Sequence, residues 1–337
     1  MVQSSPISIQ QLIETLLDSK KRFSPKYLYR LSDLDEADLQ AVASSWTRIP
    51  LKRRQALMED IETLSAADPL LSYEGISRLA IKDENPHIRK VGIRCLWESE
   101  EQDLADQFLF LLDTDESAEV RAAAASALGK YVYLGELDEI PLQLQREIEN
   151  HLLAKMKSED AAPVKRSSLE ALGFSGREEI NPLIESAYFS GNEEWIISSL
   201  YAMGRSANDK WHSLVEAMFD HENPEVRLEA ARAAGELEFR GSVDKLSKLL
   251  EDPDNEVRMA AIWSLSQIGG EEVREALELL YNQTEDDEEL QQIESALDNL
   301  DFTDGGDLFA MLEIPEADDD LSYEDGEYYE DDEDFAD

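Results

Sequence analysis

Asp252-Pro253-Asp254-Asn255-Glu256-Val257-Arg258-Met259-Ala260-Ala261-Ile262-Trp263-Ser264-Leu265 reads as an acidic turn leading into a helix, and the chain returns to this pattern repeatedly. One unit earlier stands His221-Glu222-Asn223-Pro224-Glu225-Val226-Arg227, running on to Ala233-Ala234-Gly235. Asp83-Glu84-Asn85-Pro86-His87-Ile88-Arg89 and Asp115-Glu116-Ser117-Ala118-Glu119-Val120-Arg121 are earlier copies, and weaker ones centre on Val164, Trp195 and Glu289. With the Val-like position as origin the copies fall at 88, 120, 164, 195, 226, 257 and 289, in steps of 32, 44, 31, 31, 31 and 32. A period near 31 with two helical segments per unit predicts an all-α fold, an α-α superhelix. Each unit of such a stack buries its apolar face only against its neighbours.

The local signals agree. Val226, Ala230, Ala233 and Ala234 stand at i, i+4, i+7 and i+8, which puts one apolar stripe on a first helix. Asn223-Pro224 suits the start of that helix and Gly235 its end. A second helix follows, with Val243, Leu246, Leu249 and Leu250 on its apolar face.

The pattern D-x-x-x-x-V-R-x-x-A-x-x-A-L-G resembles the HEAT repeat, an armadillo-type α-solenoid, in the short form of the PBS-lyase-like HEAT family, over residues 83–300. That family spans scaffolds, adaptors, chaperone-like proteins and a few enzymes, so the resemblance speaks for fold before function. It implies a ladder of charge pairs along the stack, each Arg with the acidic residue six before it. The pairs here would be Asp83/Arg89, Asp115/Arg121, Glu159/Lys165 and Asp252/Arg258, with Arg227 opposite His221 half formed and gaps at Ser190/Ile196 and Thr284/Leu290. It also implies that second helices line the concave face, which nominates Phe110, Lys155, Glu185, Glu216, Lys248 and Glu278 as groove residues for a protein partner.

Outside the repeats, residues 1–82 are helical but out of register. They read as a divergent cap that shields the end of the stack, with a small binding module as the alternative. Residues 83–303 hold about seven repeats. The long step between the second and third copies is an insertion around 131–141, expected in a loop. Residues 304–337 read as a disordered acidic tail after the linker signal Gly305-Gly306. The tail carries an apolar island at 308–315 whose Leu308, Phe309, Met311, Leu312 and Ile314 either cover the last repeat or enter a groove as a short helical motif.

The formal net charge is −45, and residues 285–337 hold 24 acidic residues with no Lys or Arg. Such a field opposes phosphate backbones and favours a protein partner with a basic surface, so no nucleic acid is expected. The run Phe108–Leu112 is far too short for a bilayer, and no signal peptide is legible, so the expected location is the cytoplasm with no membrane partner. Arg48, Lys52, Arg53 and Arg54 form a basic cluster, read as a solvated helix end or a dock for the tail. Cys95 is alone and reads as a small buried side chain.

Four histidines form no metal-ligand set, and His221-Glu222 is a single dipeptide where HEAT-type deoxyhypusine hydroxylases use several. Trp97, Trp195 and Trp263 fall in first-helix registers, where core packing outweighs a bilin pocket. No phosphate-loop, nucleophile-elbow or dinucleotide fingerprint occurs. The expectation is therefore a non-enzymatic adaptor with no cofactor, no catalytic residue and no metal. Its tail would recruit a basic partner or regulate the chain itself. The alternative is a bilin-lyase-like or chaperone-like protein acting on a cofactor-bearing partner.

Overall fold

Helix starts are dictated locally. The computed structural model describes residues 7–310, with side chains to Phe302. Ser8 and Gln11 form a capping box at the first helix, and Asn85, Asn223 and Asp254 each accept backbone N–H bonds from the turn that follows them. Pro86 and Pro224 sit in a first turn, where a missing donor costs nothing.

In order, the helices are α1 (Ile9–Leu17), α2 (Pro25–Arg30), α3 (Glu36–Trp46), α4 (Leu51–Ala67), α5 (Glu74–Ala80), α6 (Pro86–Arg94), α7 (Gln102–Thr114), α8 (Ala118–Glu136) and α9 (Leu142–Lys157). There follow α10 (Ala162–Leu172), α11 (Asn181–Tyr188), α12 (Glu193–Arg205), α13 (His212–Glu216), α14 (Pro224–Glu236), α15 (Val243–Leu246), α16 (Asn255–Ile268), α17 (Glu271–Tyr281) and α18 (Asp287–Ala310). Three-ten turns at Asp209–Trp211, Arg240–Ser242 and Ser247–Glu251 flank the short α13 and α15.

Helices α4, α6, α8, α10, α12, α14, α16 and α18 pack on one another in sequence as one layer. The second helices α5, α7, α9, α11, α13, α15 and α17 pack mainly against that layer and touch one another sparingly. Small residues explain the asymmetry. A Cβ at Gly173 would stand 2.7 Å from the Cα of Ala202, and one at Gly235 would stand 2.7 Å from the Cα of Ser264. First helices therefore approach backbone to backbone while second helices splay, so the first-helix face is the compressed, concave side.

Charge pairs tie the first helices together, but across units and not within them. Arg89 grips the Asp115 carboxylate of the next unit at 2.7 and 2.8 Å, while its Nη1 donates to the backbone carbonyl of Asp83 at 2.8 Å. Arg121 repeats the arrangement with Asp160 and the Asp115 carbonyl, and Arg227 with Asp252 and the His221 carbonyl. Arg258 donates to Glu289 at 3.0 Å and to the Asp252 carbonyl. The carboxylates Asp83, Asp115, Asp160 and Asp252 each also accept a backbone N–H from the turn that they open. Such forked, fully bonded pairs fix the angle between neighbouring helices.

This geometry corrects the sequence reading of the ladder. The side-chain partner of Asp83 is Arg54, not Arg89, and Arg54 lies on α4 in the segment read as out of register. Exposed Glu159 takes no rung, and its neighbour Asp160 does. Glu289 closes the expected gap at Thr284, whose hydroxyl donates to it. The ladder is interrupted where Lys165 would meet Ser190 and Ile196 would meet His221. Lys165 makes no ion pair among the described residues, Ile196 has no charge to offer, and the side chains of Ser190 and His221 accept only their local turn amides among the described residues.

Two further expectations change. The insertion is not a loop: it lengthens α8 to 19 residues and α9 to 16, since Tyr131 to Glu136 continue the α8 pattern. Tyr131 is buried with its hydroxyl donating to the Glu101 carbonyl at 2.9 Å. At the other end, α18 runs through Gly305-Gly306 to Ala310, so the linker read at 304–307 is helical. Leu308 and Phe309 fall in this last stretch of helix, while Met311, Leu312, Ile314 and the rest of the acidic tail lie outside the described residues.

Two buried clusters share α6. Ile88 and Val91 belong to the N-terminal core of α1–α5, and Ile93 to the long core that runs to Leu300. The N-terminal segment thus joins the stack through α4 and α6.

Candidate functional site

The concave face is not flat. Side chains from α4, α6, α8, α10 and α12 enclose a groove of about 840 Å³. Its floor is made of Ala122, Ala123, Ala127 and Gly129, residues small enough to let neighbouring backbones meet. Aromatic rings rise from that floor. Trp97, just beyond α6, is 62 % exposed and Tyr133 on α8 is 46 % exposed. Tyr133 leans on Phe174 with ring centroids 5.2 Å apart. Paired charges line the rim, Glu62 with Arg94 and Lys90 with Glu119.

At its far end the guanidinium of Arg205 lies on the Tyr201 ring, 3.4 Å from its centroid, and 5.1 Å from that of Phe174. Arg205 makes no ion pair among the described residues, and its Nη1 is buried without a hydrogen-bond partner. Beyond it the groove continues as a second space of about 470 Å³ over α12, α14 and α16, walled by Tyr201, Glu229, Arg232, Glu236, Glu256 and Trp263, with Arg205 at its edge.

The two halves differ in charge. Glu229 is 8 % exposed, and no hydrogen bond or ion pair reaches its carboxylate among the described residues. Burial pushes it up to about 7, with Glu236 and Glu170 adding to the rise and Arg232 and Arg205 opposing it. Burial also raises Glu236. That residue is exposed as a whole, but its carboxylate lies over Gly204. A raised carboxylate withholds stability at high pH. The penalty is full above about 7 and is relieved as the pH falls toward 4.5, the ordinary glutamate value. Glu229→Gln should therefore stabilise the chain by about 2 kcal/mol at pH 8 and leave it unchanged near pH 4.5, read from urea midpoints at the two pH values.

The same groove bears on catalysis. Cys95 lines it, but burial pushes the thiol up to about 12, which leaves almost no thiolate near neutrality. Among the described residues no group of three His, Cys, Asp or Glu is placed to hold a metal ion.

A family model of HEAT repeats matches residues 74–173 and 212–298, more than half of the chain. The chain belongs to the HEAT-repeat family. No curated protein matches it. Solved structures resemble this HEAT chain at low identity. YibA of Escherichia coli is 17 % identical, with 84 % of this chain and 99 % of that one covered, at a TM-score of 0.43. Human deoxyhypusine hydroxylase, solved with glycerol, is 16 % identical over 77 % and 95 %, at 0.34. A designed armadillo repeat protein, solved with the peptide (KR)4, is 19 % identical over 58 % and 98 %, at 0.37.

In the HEAT stack the groove residues nominated from sequence all fall on the other layer. Phe110 on α7 is exposed there, Lys155 on α9 pairs with Asp113, Glu185 on α11 with Lys210, and Glu216 on α13 with Lys245. Lys248, in the turn after α15, and Glu278 on α17 are exposed on that same splayed side. The register arithmetic located second helices, and those helices are the outer ones.

Trp46 and Trp211 are the buried tryptophans among the described residues. Of those read as core, Trp195 packs half-buried against it, whereas Trp97 and Trp263 line the groove. Their signal was present in the sequence: Trp97 falls just past its helix, where no neighbouring unit covers it.

Three of the four basic-cluster residues are engaged inside the fold, and Lys52 is exposed. Arg54 is a ladder rung, Arg53 donates to the Asp18 and Lys21 carbonyls, and Arg48 donates to Ser45. No helix among the described residues is long and apolar enough to cross a membrane.

Proposed function

We propose that this HEAT-repeat chain is a non-enzymatic scaffold that holds an extended segment of a partner protein along its first helices. The observation that carries the reading is the aromatic groove: exposed Trp97 and Tyr133 stand beside the small residues of α8 in a groove lined by α4, α6, α8, α10 and α12. Exposed aromatic rings in a concave surface are the side chains that anchor protein partners, because they bury much area at little entropic cost. The net charge of −45 selects partners with a basic surface, and the acidic stretch 285–337 extends the capture range at low salt.

Partners captured from native lysate test this. Trp97→Ser with Tyr133→Ser should remove the captured proteins, while Phe110→Ser on the outer layer should leave them. A chain ending at Ala310, which keeps α18 whole, should retain the same partners with weaker salt dependence. Capture that survives the inner substitutions and fails with the outer one would sink the reading.

A further inference from the structure

We propose that the acidic half of the groove, where Glu229, Glu236 and Glu256 stand with Tyr201 and Trp263, receives a lysine or arginine side chain presented by the partner segment. This rests on the groove reading above and names the chemistry that one end of the groove selects.

Three observations converge. Glu229, a residue 8 % exposed, lines the space, and no hydrogen bond or ion pair reaches its carboxylate among the described residues. A buried charge without a partner is costly, and an incoming cation removes that cost. Aromatic groups stand beside it: Tyr201 and Trp263 line the same space, and a cation over an aromatic face is attracted by the ring. The chain already stacks one guanidinium on Tyr201, that of its own Arg205, at 3.4 Å.

The charges around Glu229 do not cancel. Facing it are Tyr201 and Arg205 from α12, Glu170 from α10, Arg232 and Glu236 from its own α14, and Glu256 from the start of α16. Four carboxylates thus meet two guanidiniums. Arg205 is turned onto Tyr201 and Phe174, and neither Arg205 nor Arg232 forms an ion pair among the described residues. The side chain is also half protonated near neutrality, since burial raises it to about 7. A cation that docks beside it must therefore expel a proton.

That linkage separates this pocket from the general attraction of a polyanion. The probe is an eight-residue amidated peptide of alternating arginine and glycine. The control peptide has each arginine replaced by uncharged citrulline. Titration calorimetry of the full chain at pH 7 in phosphate and in Tris gives the protons released per peptide, and anisotropy at 150 mM salt gives the affinity.

About half a proton should be released by the wild-type chain and none by Glu229→Gln. The double change Glu229→Gln with Glu256→Gln should weaken binding about tenfold, although it removes only two of 76 acidic residues and so leaves the overall field nearly unchanged. The citrulline peptide should not bind. Glu256 is exposed and Glu229→Gln removes a buried charge, so both variants should fold; Glu256→Gln alone, with a partial loss, guards the result.

Equal affinity for wild type and double variant, with proton release unchanged, overturns the pocket. If the Trp97→Ser and Tyr133→Ser chain still loses its native partners, the groove reading stands without the pocket. If it keeps them, both fall.

Discussion

Replacing Arg54 with methionine should cost about 3–5 kcal/mol of stability, the range for stranding one member of a buried ion pair. Arg54 is 2 % exposed and its Nη1 lies 2.6 Å from Asp83, which also accepts the Trp46 indole N–H at 2.7 Å. Removing the guanidinium leaves a buried carboxylate with two neutral donors in place of a counter-ion. The loss should show as a lower urea midpoint, and adding Asp83→Asn should recover part of it, because the uncompensated charge is then gone. Arg54→Lys should recover less than Asp83→Asn does, since an ammonium cannot bridge Asp83 and Glu84 as the fork does at 2.6 and 2.9 Å. A change below 1 kcal/mol for Arg54→Met would mean that the N-terminal segment is not tied into the stack through this rung.

Trp211→Ala should cost about 3–5 kcal/mol, and its effect should be local in origin. The unit formed by α12 and α13 has no ladder rung on either side among the described residues, because Ser190 and Ile196 stand at the rung positions and carry no charge. Its second helix has only five residues. Apolar packing must then hold this part of the stack, and Trp211 is its largest fully buried side chain, at 1 % exposure, in a core with Leu200, Met203, Val215 and Phe219. Hydrogen exchange should find residues 190–222 opening sooner than α8 or α16 in the wild-type chain, and Trp211→Ala should widen that difference. Uniform exchange along the stack would show that the missing rungs carry no local weakness. The position bears on function, since α12 carries Tyr201 and Arg205, where the apolar and acidic halves of the groove meet.

Much of the fold was legible in the chain. The 31-residue step, the Asn-Pro and Asp turns, and the apolar stripes place α6 to α18 with their caps, because these are local properties of a helix and its ends. The candidate site was far less legible. Register arithmetic found second-helix positions such as Phe110 and Glu278 but could not tell which layer is compressed. That depends on how closely Gly173 and Gly235 let neighbouring backbones approach. Glu229 carries no sequence signal that sets it apart from the other acids of a highly acidic chain, since its burial is a property of the packed stack.

The sequence by itself determined that this is a helical repeat stack, where its clear units begin, and that Arg89, Arg121, Arg227 and Arg258 carry ladder charges, because periodicity and capping act over a few residues. Only the tertiary structure decided which charges meet. Arg89 reaches forward to Asp115, in the turn that opens the next unit, while the carboxylate six residues behind it is engaged by Arg54. In the same way Arg54 joins the ladder from a segment with no visible repeat, and the insertion at 131–141 lengthens two helices. The groove also belongs to the assembled stack: Trp97, Tyr133, Tyr201 and Glu229 come from units far apart in sequence, and the close packing of first helices brings them onto one face.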